Sequence, residues 1–263
     1  MRITLKSKAE IAKMRSAGRI VAEVLALVEE SLEAGISTAE LDAIAERHIR
    51  GAGAVPSFVD YIGGRRYDPA SPHRYRASTC ISIDHEIVHG IPGDREIRDG
   101  QVVSVDVGAI YDGWHGDGAR TFICGGIGAG TPPAVRLVET TRMALMAGVA
   151  AAQPGHHVDD IGAAVEAVAL EGGYGIVRGY GGHGIGTSMH EDPSVLNFRT
   201  GRKGPRLDPG MCLAIEPMFM IGTEATDVLP DGWTVVTVDG ELAAHFEHTI
   251  AITTHGPEIL TTV

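Results

Sequence analysis

The sequence predicts an α/β fold, more narrowly α+β, in which two similar αβ halves share one antiparallel sheet. Three observations predict it. Two pairs of amphipathic helices recur at a fixed spacing, each pair leads into β-rich sequence, and each β-rich stretch carries an Asp-Gly turn between β-prone runs.

Ser7 and Glu10 have the spacing of a capping box and introduce Ile11, Met14, Ile20, Val21, Val24, Leu25, Val28 and Leu32 at mainly three- and four-residue intervals. Ser37 and Glu40 open a second helix with Leu41, Ile44, Ala45 and His48 on one face, ending near Gly51 and Gly53. The order then repeats. Pro132 and Pro133 lead a helix through Ala152, and Gly155 precedes another carrying Val158, Ile161, Val165 and Leu170 before Gly172 and Gly173. An offset of 120 residues brings Gly35 onto Gly155, Leu41 onto Ile161 and Gly53 onto Gly173. This places halves at about 1–125 and 126–263 within one packed unit spanning 1–263.

Composition narrows the function classes. With 34 acidic against 22 basic residues and a formal charge of -12, the chain offers no broad footprint for nucleic acid. The first ten residues lack an apolar signal core, and no uninterrupted apolar run of about 18 residues could span a bilayer. Cys80, Cys124 and Cys212 are odd in number and widely spaced, which fits reduced thiols and a cytoplasmic setting.

The chemistry concentrates in carboxylates. With Asp112-Gly113 as a two-residue turn, Tyr111 faces Trp114, Gly108 faces Asp117, and Asp106 faces Ala119. Asp106 and Asp117 then share one face as diagonal neighbours, their backbones about 7 to 8 Å apart. Val103, Val105, Val107 and Ala109 take the other face, under helices. In the second half, Trp233 to Val238 and Glu241 to Ile252 flank Asp239-Gly240 as a second hairpin. Glu216 lies inside MCLAIEPMF, where Met211, Leu213 and Ile215 alternate away from it, and Glu247 stands at the centre of the strand HFEHTIAI. Carboxylates in such apolar strands are costly to desolvate, and no nearby run of Lys or Arg offsets them. Divalent cations would, and His183 in GYGGHGIG adds an imidazole. Four carboxylates and one imidazole suit two divalent ions better than a closed structural zinc site. A metal-free carboxylate dyad, as in glycosidases, leaves His183 without a role.

At these residues the sequence resembles type I methionine aminopeptidases, within the pita-bread metallopeptidase fold, over nearly the whole chain. The segments that carry the resemblance are CISIDHEIVHGIP from Cys80, DGQVVSVDVGAIYDGWHGDGARTF from Asp99, GGHGIGTSMHEDP from Gly181, PGMCLAIEPM from Pro209 and DGWTVVTVDGELAAHFEHTI from Asp231. The resemblance implies removal of N-terminal methionine from peptides and nascent proteins, with a small second residue preferred. It implies that Asp117 and Glu247 bridge two ions, that Asp106 completes one site, and that His183 and Glu216 complete the other. Cobalt, manganese, iron, zinc or nickel could occupy such a set. Glu216 is further implied as proton shuttle, His190 as a neighbour of the scissile carbonyl, and His89 as a contact to the substrate backbone. His115, His245 and His248 match no ligand position and are expected to support the ligands from behind or to face solvent.

A methionine pocket is implied from Phe58, Tyr61, Tyr75, Cys80, Met189 and Trp233. Two features depart from the family. Met189 stands where an aromatic residue is common, and Ile62 to Arg74 reads as an insertion, a solvated loop whose Arg65, Arg66, His73 and Arg74 could alternatively touch ribosomal RNA or a nascent chain. Prolidase-like relatives usually carry an extra N-terminal domain, and type II enzymes a helical insertion where only 25 residues separate His190 from Glu216 here. A metal-free pita-bread binding module is disfavoured by the complete ligand set. A monomer with no stable nucleic-acid or membrane partner is the expected state.

Overall fold

The computed structural model describes residues 3–62 and 74–263. The chain opens with α1 (Lys8–Ser31) and α2 (Thr38–Gly51), both closed at the N-terminus by the expected capping boxes, Ser7 with Glu10 and Ser37 with Glu40. There follow β1 (Val55–Pro56), β2 (Thr79–Ile83), β3 (Glu86–Val88) and the long hairpin β4 (Val102–Tyr111) and β5 (Trp114–Ile123). The second half begins with α3 (Pro132–Ala151) and α4 (Val158–Gly172), then β6 (Gly175–Ile176), β7 (Gly182–Gly184), β8 (Glu191–Val195) and β9 (Cys212–Ile215). It ends with β10 (Met218–Met220), β11 (Thr226–Val228), β12 (Val235–Thr237), β13 (Ala243–His245), β14 (Glu247–Thr253) and β15 (Gly256–Ile259).

The repeat is structural. Gly35 and Gly155 take φ of 97° and 89°, and Gly53 and Gly173 take 75° and 71°, so the chain turns the same way at matching points. The N–H of Gly35 donates to Ile97 O and that of Gly155 to Leu207 O, each at 2.8 Å. A nine-stranded sheet in the order β1-β4-β5-β14-β9-β7-β8, with β2 beside β4 and β15 beside β14, joins the halves at β5 and β14. Among the described residues, backbone pairing across that seam is confined to Glu247 with Ala119 and His248 with Gly118. Threonine hydroxyls stitch either side of it. Thr249 Oγ1 accepts from Asp117 N and donates to Asp117 O, at 3.0 and 2.8 Å, while Thr121 Oγ1 does the same with His245 N and O, at 2.9 and 2.6 Å.

One face of the sheet is covered by helices. Val103, Val105, Val107 and Ala109 pack with Val21, Val24, Leu25 and Leu41 in one core, and Leu213, Ile215, Ile250 and Ile252 pack with Leu145, Val149 and Ile161 in another. Each large aliphatic buried there contributes about 1.5 to 3 kcal/mol.

Several expectations are corrected. Leu170 is 73% exposed, because the buried stripe of α4 runs through Ile161, Val165 and Ala169 at four-residue steps. Asp239-Gly240 is a turn but not a hairpin: β12 pairs with β11 and β3, whereas β13 pairs with β10 in a different sheet. The Asp239 carboxylate holds that turn by accepting from Thr223 N and Glu241 N, at 2.8 and 3.1 Å. Glu247 is the first residue of β14 rather than a strand centre, and Glu216 lies just beyond β9. Residues 63–73 of the expected insertion, including Arg65, Arg66 and His73, lie outside the described residues. Its flanks are pinned together, since Asp60 N donates to Tyr75 O and Tyr75 N to Tyr61 O, both at 2.9 Å.

Candidate metal centre and substrate pocket

The hairpin β4–β5 has the register that the Asp-Gly turn implies: Tyr111 faces Trp114, Gly108 faces Asp117 and Asp106 faces Ala119. Asp112 and Gly113 take φ of 49° and 79°, both in the left-handed region that a type I′ turn requires. With valines on the helix face, Asp106 and Asp117 project to the opposite one. In the second half, β9 runs into β10 and β13 into β14, and both paths leave one sheet for another. Glu216-Pro217 and Phe246-Glu247 are the two crossing points, tied by a bond from Phe246 N to Pro217 O at 3.2 Å. Register then aligns Asp106 with Ala119 and Ala119 with Glu247 in one row across the seam.

Asp117, His183 and Glu247 offer ligand atoms that all lie within 4.8 Å of one another. His183 Nε2 is 3.6 Å from Glu216 Oε1 and 4.0 Å from Asp117 Oδ2. His183 Nδ1 donates to Gly184 O at 2.8 Å, which fixes the tautomer and turns the Nε2 lone pair toward the acids. Burial, then the charge of His190, lowers the His183 pKa to about 3, keeping the imidazole neutral as ligation needs.

The acids are electrostatically overloaded. Burial raises Asp106 to about 7, and burial followed by the charge of Asp106 raises Glu216 to about 8. Asp117 and Glu247 are raised well above the carboxylate range by burial and then by neighbouring acids. Among the described residues none of the four pairs with Lys or Arg. Asp106 Oδ1, Asp117 Oδ1 and Glu247 Oε1 are buried with no hydrogen-bond partner among the described residues. Buried acceptors in such number are rare unless a cation completes them. The donor set, four carboxylates and one neutral imidazole, fits divalent ions.

A cavity of about 360 Å³ opens onto these groups. It is lined by all five candidate ligands, by His89 and His190, and by Phe58, Tyr61, Tyr75, Cys80, Met189 and Trp233. The geometry thus brings every expected site residue to one cavity. Phe58, Tyr75, Cys80 and Met189 form a buried apolar cluster with Tyr61 and Trp233 against it. Tyr75 is fixed by donating to Thr79 O and Gly90 O, both at 2.9 Å, and lies edge-on to Trp233 at 5.2 Å between centroids. Gly108 leaves room for the pocket floor, since a Cβ there would sit 2.8 Å from Ser57 Cβ and 3.2 Å from Met189 Cε.

The His190 ring lies 4.1 Å from that of His183, and its Nδ1 is 2.8 Å from the Tyr61 hydroxyl. His89 is held at φ 63°, a conformation uncommon outside glycine and enriched at functional sites, with its ring 6.3 Å from Trp233. Burial keeps His89 neutral, with a pKa lowered to about 4.

His115 and His245 do not face solvent. His115 is buried against Ser57 Oγ at 3.0 Å, and His245 is buried with Nε2 3.9 Å from Glu216 Oε2. Tyr180 was not anticipated. It lines the cavity and meets the His89 ring at 5.4 Å, and its only sequence signal is its place three residues before His183. Val228 and Gly232, also in the lining, sit on a rim formed by a strand too short to read from periodicity. Cys80, Cys124 and Cys212 are free and buried.

The chain is similar to known proteins along nearly its whole length. A methionine aminopeptidase of Aquifex aeolicus is 48% identical over 99% of both chains, and methionine aminopeptidase 1 of Bacillus subtilis is 45% identical over 99% of this chain and 100% of its own. The crystal structure of a methionine aminopeptidase from Thermotoga maritima superposes with a TM-score of 0.92 at 37% identity, covering both chains fully. A prolidase from Pyrococcus furiosus shares the fold at a TM-score of 0.77 and 24% identity, with 65% of its length covered. Among the described residues no helix is long and apolar enough to cross a membrane. Residues 12–254 match metallopeptidase family M24, and with relatives of this identity along nearly its whole length the chain belongs to that family.

Proposed function

We propose that this chain hydrolyses the first peptide bond of peptides and nascent proteins that begin with methionine, favouring a small second residue. The observation that supports it best is the meeting, in one cavity, of an apolar pocket with a neutral imidazole and four acids that have no basic partner among the described residues. Asp106, Asp117, His183, Glu216 and Glu247 would hold two divalent ions. When bound, the ions supply Lewis-acid activation of water and of the scissile carbonyl.

The remaining work falls to protein groups. Phe58, Tyr61, Tyr75, Cys80, Met189 and Trp233 enclose the unbranched thioether and exclude water from it. His89 holds the substrate backbone, and His190, steadied by the Tyr61 hydroxyl, orients the scissile carbonyl. Glu216 takes a proton from the attacking water and delivers it to the leaving amine, so that methionine and a peptide one residue shorter account for all atoms. The chain works as a single catalytic unit over 1–263, monomeric and cytoplasmic, with only transient contact to the ribosome.

The test strips the protein of metal, restores cobalt, manganese, iron, zinc or nickel singly, and offers Met-Ala-Ser, Leu-Ala-Ser and Ala-Pro. Metal-dependent release of methionine from the first peptide is expected. Turnover of Ala-Pro alone would overturn the assignment in favour of a prolidase-like activity, and full metal occupancy without turnover would favour a binding role.

A further inference from the structure

The segment ahead of α1 reaches across the molecule. Lys6 N donates to Gly210 O at 2.7 Å, and Gly210 N donates to Ile252 O at 2.8 Å, which fastens the backbone of Lys6 to the sheet beside β9 and β14. From that anchor the Lys6 ammonium runs to Glu191 Oε2 at 2.7 Å, with side chains only 4% and 15% exposed. Thr4 Oγ1 donates to the same oxygen at 2.9 Å, and Ser188 N donates to Glu191 Oε1 at 3.3 Å. In the loop between β7 and β8, Gly186 packs closely against this pair, since a Cβ there would lie 2.5 Å from Glu191 Oε1 and 2.7 Å from Lys6 Cε.

That loop, residues 185–190, carries Met189 into the pocket and His190 onto His183. Glu191 is the next residue and pairs with Gly184 in the ladder, which closes the loop, and its carboxylate ties that closure to Lys6 through a part-buried ion pair. A buried pair often contributes little net stability against an apolar replacement, while it does specify a geometry. We infer that Lys6 is a positioning residue of the active site: through Glu191 it sets where Met189 and His190 stand. This rests on the proposed aminopeptidase reading.

The test compares wild type with Lys6→Arg, Lys6→Met and the double variant Lys6→Met/Glu191→Met, reading kcat and KM on Met-Ala-Ser below the thermal transition. Hydrogen exchange of a peptide covering 185–192 is followed in parallel. Lys6→Met is expected to lower kcat about tenfold or more through His190 and to raise KM through Met189, and Lys6→Arg to restore most of both. The double variant, which leaves no unpaired buried charge, is expected to recover the thermal midpoint but neither kcat nor loop protection. Recovery of both would overturn the inference, leaving only the burial of an unpaired charge. If wild type fails to turn over Met-Ala-Ser the aminopeptidase reading falls, while unchanged exchange in the double variant would still overturn the positioning role and faster exchange would sustain it.

Discussion

The two halves deliver their acids to the same cavity by different means. In the first, Asp106 and Asp117 sit within a continuous hairpin of two ten-residue strands, where alternation alone sets their direction. In the second, Glu216 and Glu247 stand at the corners where two strand paths leave one sheet for another, beside Pro217 and Phe246. The regular half uses the shorter acid, aimed by pleat geometry, and the crossing half uses the longer one, which spans an extra methylene from a corner. The four positions are therefore not interchangeable, although the folds around them repeat.

The sharpest way to break this comparison is to exchange acid lengths. Asp117→Glu and Glu247→Asp keep every charge, yet each is expected to lower kcat/KM about 100- to 1,000-fold, the scale of a misplaced catalytic group. Calorimetry of metal binding on the same variants should show weakened affinity. If either swap retains near-wild-type turnover, acid length does not distinguish the halves.

Next in size is a pH effect on the metal-free protein that involves one acid from each half. Asp106 and Glu216 are raised to about 7 and about 8, mainly by burial. Between about pH 7 and 8, above the range where histidines kept neutral by burial give the opposite slope, the folded chain therefore retains protons that the unfolded chain has released, and its stability falls as pH rises through that window. Saturating metal, which requires ionised carboxylates, should reverse the slope. Thermal midpoints with and without chelator across this range check it; a metal-free midpoint that climbs with pH would contradict the burial argument.

Smaller again is the cost of a seam stitch. Thr249→Val keeps the shape but leaves Asp117 N and O without their shared hydroxyl, and about 1 to 3 kcal/mol of stability should be lost in urea unfolding. Smallest is Tyr61→Phe, which retains the pocket wall while removing the bond to His190, for an expected fall in kcat of about tenfold with KM nearly constant. A rise in KM alone would place Tyr61 in binding rather than in orientation.

The contrast between the halves also explains what could be read in advance. Hairpin register, capping boxes and the convergence of Asp106 and Asp117 follow from local rules, and all are present. Legibility failed where tertiary contacts decide. The Asp239-Gly240 turn has the same dipeptide as the first hairpin, yet the strands on either side are claimed by different sheets. His245 alternates with Glu247 and so could have been placed on the acid-bearing side, but the sheet crossing at Phe246 hides that relation from simple periodicity. Tyr180 and the Lys6–Glu191 pair depend on segments far apart in sequence, which no spacing pattern encodes.

The threonine stitches carry one further consequence. Because Thr121 and Thr249 replace direct strand pairing on each side of two paired positions, the joint between the halves is a short pin rather than a long weld. Acids from both halves crowd one side of that pin, so until cations arrive they share the space by holding protons. Loading the ions and releasing those protons are then one event at the joint between the halves, and the protons set free on metal addition would report it.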